Sequence, residues 1–398
     1  MTKFGLYVHI PYCLQICTYC DFVKFEARDL PPTSEYISLL KRELKTRARA
    51  FGSRELTSVY FGGGTPSLFS PAEILSVLEA VAIEGFTLAP DAEVTLEINP
   101  GTITEASLDE FLRIGITRFS VGAQTFDEEL LKVTGRKHSV PDTISSLEML
   151  AKRKVNYSFD LLFGLPGQRL AGVKSDVLRA LDFGPSHLSA YNLTIPAKHA
   201  LNKGRASDDE QAEMFELIES ELAKAGLLRY EVSNFAKPGF ESRHNTLYWS
   251  DAPYWGLGIG SHSYVPRGDV SLGVGEAPWG VRFWNPPTIA TYRSELAKVE
   301  GAQFWSSLSE DRLEKLEMNE ALTDFSHTAL RSQNGLSMEK LESKFGPQIV
   351  TTVRSRLEDP RLNEFLIQRN GAFILSSKGQ AMADRVFESL TFLKGELP

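Results

Sequence analysis

Cysteine is scarce: there are 3 in 398 residues, and none after Cys20. A small odd count excludes a disulfide framework. Long apolar runs are missing too, and nothing approaches the roughly 18 consecutive residues that span a bilayer. Positive charge is in deficit, with 43 Lys plus Arg against 51 Asp plus Glu and a formal charge of −8. That balance removes bulk attraction for nucleic acid or anionic membrane and leaves only local basic patches. The start, Met1 to Ile10, lacks the basic flank, sustained apolar stretch and small-residue cleavage site of a signal peptide, and reads as a strand. No solenoid-type repeat is present. These absences predict a cytoplasmic chain with no nucleic-acid partner.

What is present is length and alternation. At roughly 150 residues per domain the chain suggests two or three domains, with ample length for a core. Gly5 to Ile10, Ser58 to Phe61, Glu93 to Ile98, Arg118 to Gln124, Tyr157 to Phe163, His187 to Thr194 and Tyr230 to Ser233 read as strands. Helical patterns separate them. Ser34 to Phe51 has Tyr36, Leu39, Leu40 and Leu44 on one side, and Ser70-Pro71-Ala72-Glu73 carries an N-cap, a first-turn proline and a capping-box glutamate. Helices also follow at about Thr104 to Ile114, after Gly172, and at Asp208 to Ala225. Six or seven βα units predict an α/β fold with a parallel sheet or barrel. From about Ala236 to Ala302 the chain is rich in Gly, Pro, Tyr and Trp. From Asp311 it turns helical, and Ser337 to Leu341 followed by Phe373 to Gly379 reads as a helix and a β-wing.

The three cysteines form Cys13-x-x-x-Cys17-x-x-Cys20, one short loop after the first strand. Thiolates suit iron–sulfur clusters and zinc. Structural zinc usually takes four protein ligands, so zinc here would have to recruit a His or a carboxylate. A [4Fe–4S] cluster on three thiolates instead leaves one iron open to a substrate or cofactor, and ligand count and softness favour it. Gly62-Gly63-Gly64-Thr65-Pro66 follows the second strand. Such a run serves a tight βα turn, or lets backbone approach a ligand and present unobstructed amides. Barrel enzymes place ligand groups at the C-terminal ends of strands. Glu97, Gln124, Asp160 and Thr194 occupy such positions on successive strands, where a carboxylate suits ribose hydroxyls and an amide suits several partners.

Cysteine spacing and glycine loop together resemble the radical S-adenosylmethionine (radical SAM) superfamily. Further segments are similar to its coproporphyrinogen-oxidase-like branch: Tyr7-x-His9-Ile10-Pro11, Leu96 to Gly101, Ser120 to Gln124, and Asp160 to Gln168. The resemblance implies a partial (β/α)6-type radical SAM barrel over residues 1–235 and a Gly/aromatic-rich α+β extension over 236–310. A small winged-helix-like module would occupy 311–398. It implies a [4Fe–4S] cluster on Cys13, Cys17 and Cys20. S-adenosylmethionine would be contacted by Tyr7, Tyr19, Gly63, Gly64, Thr65, Glu97, Gln124, Arg136 and Asp160, with Thr194 at its strand end as a further cofactor-binding candidate, and some of these positions serve a second such molecule in the oxidase.

Two departures separate this chain from the oxidase. Phe22 stands where the oxidase pattern has a fourth Cys, and only twelve residues precede Cys13. Cys20-Asp21-Phe22 is instead similar to the heme chaperone branch, HemW. Glu241 to Trp249 contains an H-N-x-x-Y-W element that, by the same resemblance, ligates heme through His244. The implied partners are heme, an acceptor hemoprotein and a one-electron donor, with a membrane-associated client and a homodimer left open. The alternatives are a radical enzyme acting on a porphyrin(ogen), as dehydrogenase or methyltransferase, and a zinc-stabilised nucleic-acid module that the charge disfavours. His262, in the following Gly256 to Ser263 run, reads as structural. Asn319 to Arg331 is more polar than the helix expected there.

Overall fold

In the first strand, Gly5–Ile10 (β1), side chains alternate between two environments. Leu6, Val8 and Ile10 lie in the main hydrophobic core, whereas Tyr7 and His9 face the other way and share a hydrogen bond. The same alternation recurs along five more strands: β2 (Arg54–Gly63), β3 (Phe86–Ile98), β4 (Arg118–Gln124), β5 (Asn156–Phe163) and β6 (His187–Asn192). Val59, Phe61, Val94, Leu96, Phe119, Val121, Phe159, Leu161, Leu188 and Ala190 join the core with the helices. The opposite face carries Ser58, Tyr60, Glu93, Thr95, Glu97, Arg118, Ser120, Ser158, Asp160, His187, Ser189 and Tyr191. A parallel sheet with helices on both faces reads as unbroken apolar runs. This one instead has a polar concave face, and the site is built there.

The structure, a computed structural model, describes residues 3–269, 278–298 and 308–397. The stretches 270–277 and 299–307, part of the expected 236–310 extension, lie outside the described residues. Twelve described strands form one sheet, completed by β7 (Leu228–Arg229), β8 (Asn234–Ala236), β9 (Tyr254–Leu257), β10 (His262–Pro266), β11 (Gly280–Trp284) and β12 (Leu313–Leu316). The order is β12-β11-β10-β9-β1-β2-β3-β4-β5-β6-β8-β7. Strands β1 to β6 are parallel neighbours in chain order, and β9 adds a seventh parallel strand beside β1. The expected strand at Tyr230–Ser233 is absent. Leu228–Arg229 and Asn234–Ala236 form an antiparallel hairpin around it on the far edge. The sixth strand stops at Asn192, so Thr194 lies beyond it.

Helix α1 (Thr33–Phe51) buries Tyr36, Leu39, Leu40 and Leu44, the side that its spacing predicts. Ser70 caps α2 (Pro71–Ile83) through the full capping box with Glu73. Helices α3 (Glu105–Arg113), α4 (Glu128–Val133), α5 (Val140–Lys152), α6 (Leu170–Asp182) and α7 (Asp208–Lys224) complete the βα series. Helix α6 starts before Gly172 rather than after it. The six-residue α8 (Arg243–Tyr248) and then α9 (Ile289–Lys298) follow.

The C-terminal residues have a separate core of Leu322, Phe325, Leu341, Val353, Phe373 and Val386 with their neighbours. It forms between α10 (Met318–Leu330), α11 (Met338–Phe345), α12 (Pro347–Leu357), α13 (Ser377–Ala381), α14 (Ala383–Ser389) and a small sheet of Leu336–Ser337, Ala372–Leu375 and Leu366–Arg369. This is a winged-helix-like arrangement. The wing strand ends at Leu375, and Ser376 caps the next helix instead of extending the wing. The polar Asn319–Arg331 stretch is a core helix all the same. Its Thr323 and Thr328 hydroxyls bond back to the carbonyls one turn earlier, and Asn319 Nδ2 donates to Phe392 O (3.2 Å).

Candidate functional site: the cysteine loop and the polar lumen

The cysteine loop starts directly after β1 and is held at both ends. Tyr12–Cys13 pairs in parallel with Phe25–Glu26, and His9 Nε2 bonds Val23 O (2.7 Å). The middle of the loop docks on the turn after α4. There Thr18 N–H donates to Thr134 O (3.1 Å) and Gln15 Nε2 to Gly135 O (3.0 Å). His199, from the loop after β6, reaches Thr18 O (3.0 Å). All three cysteines are free thiols, Cys13 buried and Cys17 and Cys20 half-buried. Burial pushes the Cys13 thiol up to about 11, against the Thr65 hydrogen bond that pulls it down, and burial raises Cys20 too.

Among the described residues no group of three or more His, Cys, Asp or Glu side chains is arranged to hold a single metal ion. A cubane asks for something else, one soft thiolate for each of three irons. Three thiols on one tethered loop, with Arg136 charge beside them, supply that donor set.

Four polar side chains join the first two cysteines. Thr65, nearly inaccessible, bonds the Cys13 thiol and accepts from Asn99 Nδ2 (2.9 Å). Asn99 Oδ1 accepts from Arg136 (2.7 Å), whose other terminal nitrogen lies 3.5 Å from Cys17 Sγ. Tyr19 lies against Arg136 and Cys17, packed on the cluster of Leu162, Leu165, Leu193 and Leu201. In the sequence Asn99 lies inside the Leu96 to Gly101 segment with no role of its own. The Asn-Pro-Gly turn that aims it was the available signal.

The glycine loop behaves differently from the expectation of free amides. Gly64 N–H donates to Ile10 O and Thr65 N–H to Tyr12 O (both 2.8 Å), and Gly63 N–H donates to Glu97 Oε2 (3.0 Å). All three amides are used inside the protein. The glycines are needed for space: Gly63 has φ 115° with the His9 ring where a Cβ would stand, and a Cβ on Gly64 would lie 2.7 Å from Tyr12 O. An amino group binding here is itself a donor and needs acceptors, so free amides were the wrong feature to look for.

Glu97, near the end of β3, accepts from Gly63 and from the Tyr60 hydroxyl (2.8 Å). Burial pushes its carboxyl up to about 7, against those two hydrogen bonds. Asp160, within β5, accepts from Ser120 (3.0 Å) and Ser158 (3.2 Å), and burial raises it as well. Gln124 closes β4 in the left-handed region, φ 71°, where the β4–β5 register shifts. Backbone strain of this kind gathers at ligand sites. Thr194 stands apart, exposed, its hydroxyl on Asn192 O (3.3 Å). The structure thus brings Tyr19, Gly63, Gly64, Thr65, Glu97 and Arg136 around the cysteine loop. Asp160 lies deeper, and Thr194 is left outside.

The other end of the lumen is plugged by α8. Its N-terminus is capped by the buried Glu93 carboxylate, which accepts from the amides of Arg243 and His244 (both 3.1 Å) and sits 3.9 Å from Arg118 Nε. His244 is 1% exposed. Its Nδ1 is 2.9 Å from Ser58 Oγ and its Nε2 is 3.0 Å from the Tyr248 hydroxyl. The Tyr60 ring stacks on it at 5.1 Å, and Tyr7 lies 6.2 Å away. Burial, with Arg118 nearby, depresses the imidazole to about 3 and keeps it neutral. Trp249 follows the helix, and its indole N–H has no partner among the described residues. His262 is exposed and stacks on Trp284.

Comparison with known proteins adds the following. The family model described as Radical SAM superfamily matches residues 7–177. A Heme chaperone HemW of Bacillus subtilis (strain 168) is 30% identical over 392 residues, covering 96% of this chain and 97% of that protein. The Heme chaperone HemW of Lactococcus lactis is 32% identical over 390 residues, 96% of each. That of Escherichia coli (strain K12) is 36% identical over 265 residues, 66% of this chain and 70% of that protein. Among solved structures, coproporphyrinogen III oxidase (HemN) from Escherichia coli aligns with a TM-score of 0.80 at 20% identity, covering 98% of this chain and 90% of that one. At that identity the likeness speaks for the fold alone.

Proposed function

Because this chain belongs to the radical SAM superfamily, and within it to the HemW branch, we propose that it is a heme chaperone. It takes up heme at the α8 end of the lumen and passes it to an acceptor hemoprotein. The observation that carries the reading is His244: a neutral imidazole with one nitrogen fixed by Ser58 and the other facing a single phenol. A histidine that ligates iron keeps its ligating nitrogen unprotonated and is oriented through the other one. His244 is neutral with a hydroxyl at each nitrogen, and the tautomer that donates Nδ1–H to Ser58 leaves Nε2 unprotonated for iron.

Membership also implies a [4Fe–4S] cluster at the cysteine loop and S-adenosylmethionine beside it. Cys13, Cys17 and Cys20 would hold the cluster; Tyr7, Tyr19, Gly63, Gly64, Thr65, Glu97, Gln124, Arg136 and Asp160 are the proposed contacts of S-adenosylmethionine. Such a cluster supplies one electron to the sulfonium, and a one-electron donor is its implied partner. The protein's own part is to order the loop through Thr65, Asn99 and Arg136 and to present carboxylates within a polar lumen. Among the described residues no helix is long and apolar enough to cross a membrane.

Purified protein is expected to bind hemin at one equivalent with a Soret band, and His244→Ala to lose that band. Binding no greater than a heme-free control sinks the reading. A second reading, radical chemistry on a porphyrinogen, draws on the strained Gln124 and the half-buried Glu97 and Asp160 lining the lumen. Anaerobic reconstitution and assay for 5′-deoxyadenosine, with and without porphyrinogen, tests it: substrate-dependent release would put catalysis first.

A further inference from the structure

Resting on the chaperone reading, we infer that the Tyr248 hydroxyl is a latch on His244, holding the imidazole nitrogen that heme iron takes and returning to it when heme leaves. The two side chains lie at i and i+4 on α8, so the hydroxyl sits directly beside Nε2. Their anchoring is unequal. His244 is the second residue of the helix, its amide bonded to Glu93, its Nδ1 on Ser58 and its ring stacked on Tyr60. Tyr248 is the last residue of the helix and half-buried, and it touches His244 and Tyr254 edge-on, with ring centroids 5.3 and 4.7 Å away. The phenol therefore covers a buried, fixed imidazole from a helix end where backbone restraint is weakest.

With the Nδ1 proton donated to Ser58, Nε2 accepts from Tyr248. Uptake exchanges that O–H···N bond for an iron–nitrogen bond, and release reverses the exchange, with no net transfer of a proton or electron. A net hydrogen bond of ordinary strength changes an equilibrium about five- to tenfold. This is a useful range for a carrier, which must let go of its cargo.

The test uses the full chain and hemin, with apomyoglobin as the acceptor probe. Tyr248→Phe keeps the ring and removes the hydroxyl. It is expected to bind hemin about five- to tenfold more tightly and to transfer it to apomyoglobin more slowly by a similar factor, with an unchanged Soret band. Ser58→Ala is expected to weaken binding about 10- to 100-fold, as loss of an outer partner of a ligating histidine does. Unchanged or weaker binding by Tyr248→Phe, in a protein whose thermal melt matches the parent, overturns the latch while His244 remains the ligand. Wild-type binding by both His244→Ala and His244→Gln overturns the ligand itself, and the latch with it.

Discussion

Arg136 places a guanidinium nitrogen 3.5 Å from the Cys17 sulfur. The contact ends a relay through Asn99 and Thr65 that starts at Cys13, so one arginine couples the geometry of two thiols separated by a turn. Arg136 is nearly enclosed by protein, and its second nitrogen is also spent on the Gly122 carbonyl. A fixed positive charge beside a cluster favours its reduced form, since net charge and hydrogen bonds to sulfur tune these potentials. Arg136→Gln is therefore expected to shift the midpoint potential of the reconstituted cluster to more negative values. A redox titration followed by electron paramagnetic resonance measures it, with iron and sulfide content checked in parallel. A shift toward positive values at full cluster occupancy would refute the electrostatic role.

Glu43 and Arg47 form an ion pair at 2.6 Å with at most 1% of either side chain exposed. Glu43 also accepts from Asn285 Nδ2 (2.8 Å), the Gly258 amide (2.9 Å) and the Tyr292 hydroxyl. One carboxylate on α1 thus pins the β9–β11 segment and α9 to the barrel. Removing one partner of a buried pair leaves the other charge uncompensated, at a cost of about 3–5 kcal/mol. Glu43→Ala is expected to lose about that much in urea unfolding of the full chain, and Glu43→Gln less, because the amide keeps some of the acceptor bonds. A loss below about 1 kcal/mol would show that the segment is held by its apolar contacts alone.

The parallel strands and their helices were legible because each is locally consistent. β1 and β4 have the boundaries that the residues predict, and the Ser70 to Glu73 capping box forms in full. Errors fall where local pattern and long-range pairing disagree. Tyr230 to Ser233 is β-prone, yet Tyr230 is spent on His187 (2.8 Å) and the chain doubles back around it. β3 begins at Phe86, well before Glu93, because its first half extends along β2 with Thr87, Leu88 and Asp91 exposed, a stretch that has no buried alternation to read. The polar lumen was the hardest feature to foresee. Ser58, Ser120, Ser158 and Ser189 are unremarkable one at a time and become a site only when register sets their strands side by side. His244 stands out in the sequence by its motif, but its partner Ser58 is 186 residues away.

Glu97 carries the pH dependence. Its carboxyl is surrounded by protein yet partly accessible, because it lines the lumen, and burial moves it from 4.5 to about 7 while Tyr60 and Gly63 pull the other way. Asp160 adds to the rise and Arg118 opposes it. Between about 4.5 and 7 the folded chain holds a proton here that the unfolded chain has lost. The contribution of this group to stability is therefore fully present below about 4.5 and is lost as pH rises through about 7. A displacement of this size corresponds to at most about 3 kcal/mol. Glu97→Gln keeps an acceptor for Tyr60 and removes the titration. Its stability relative to the parent, measured by urea unfolding at pH 5, 6, 7 and 8, is expected to improve steadily by up to about that amount. A difference that stays flat from pH 5 to 8 would mean that Glu97 is ionised throughout, as a solvated carboxylate would be.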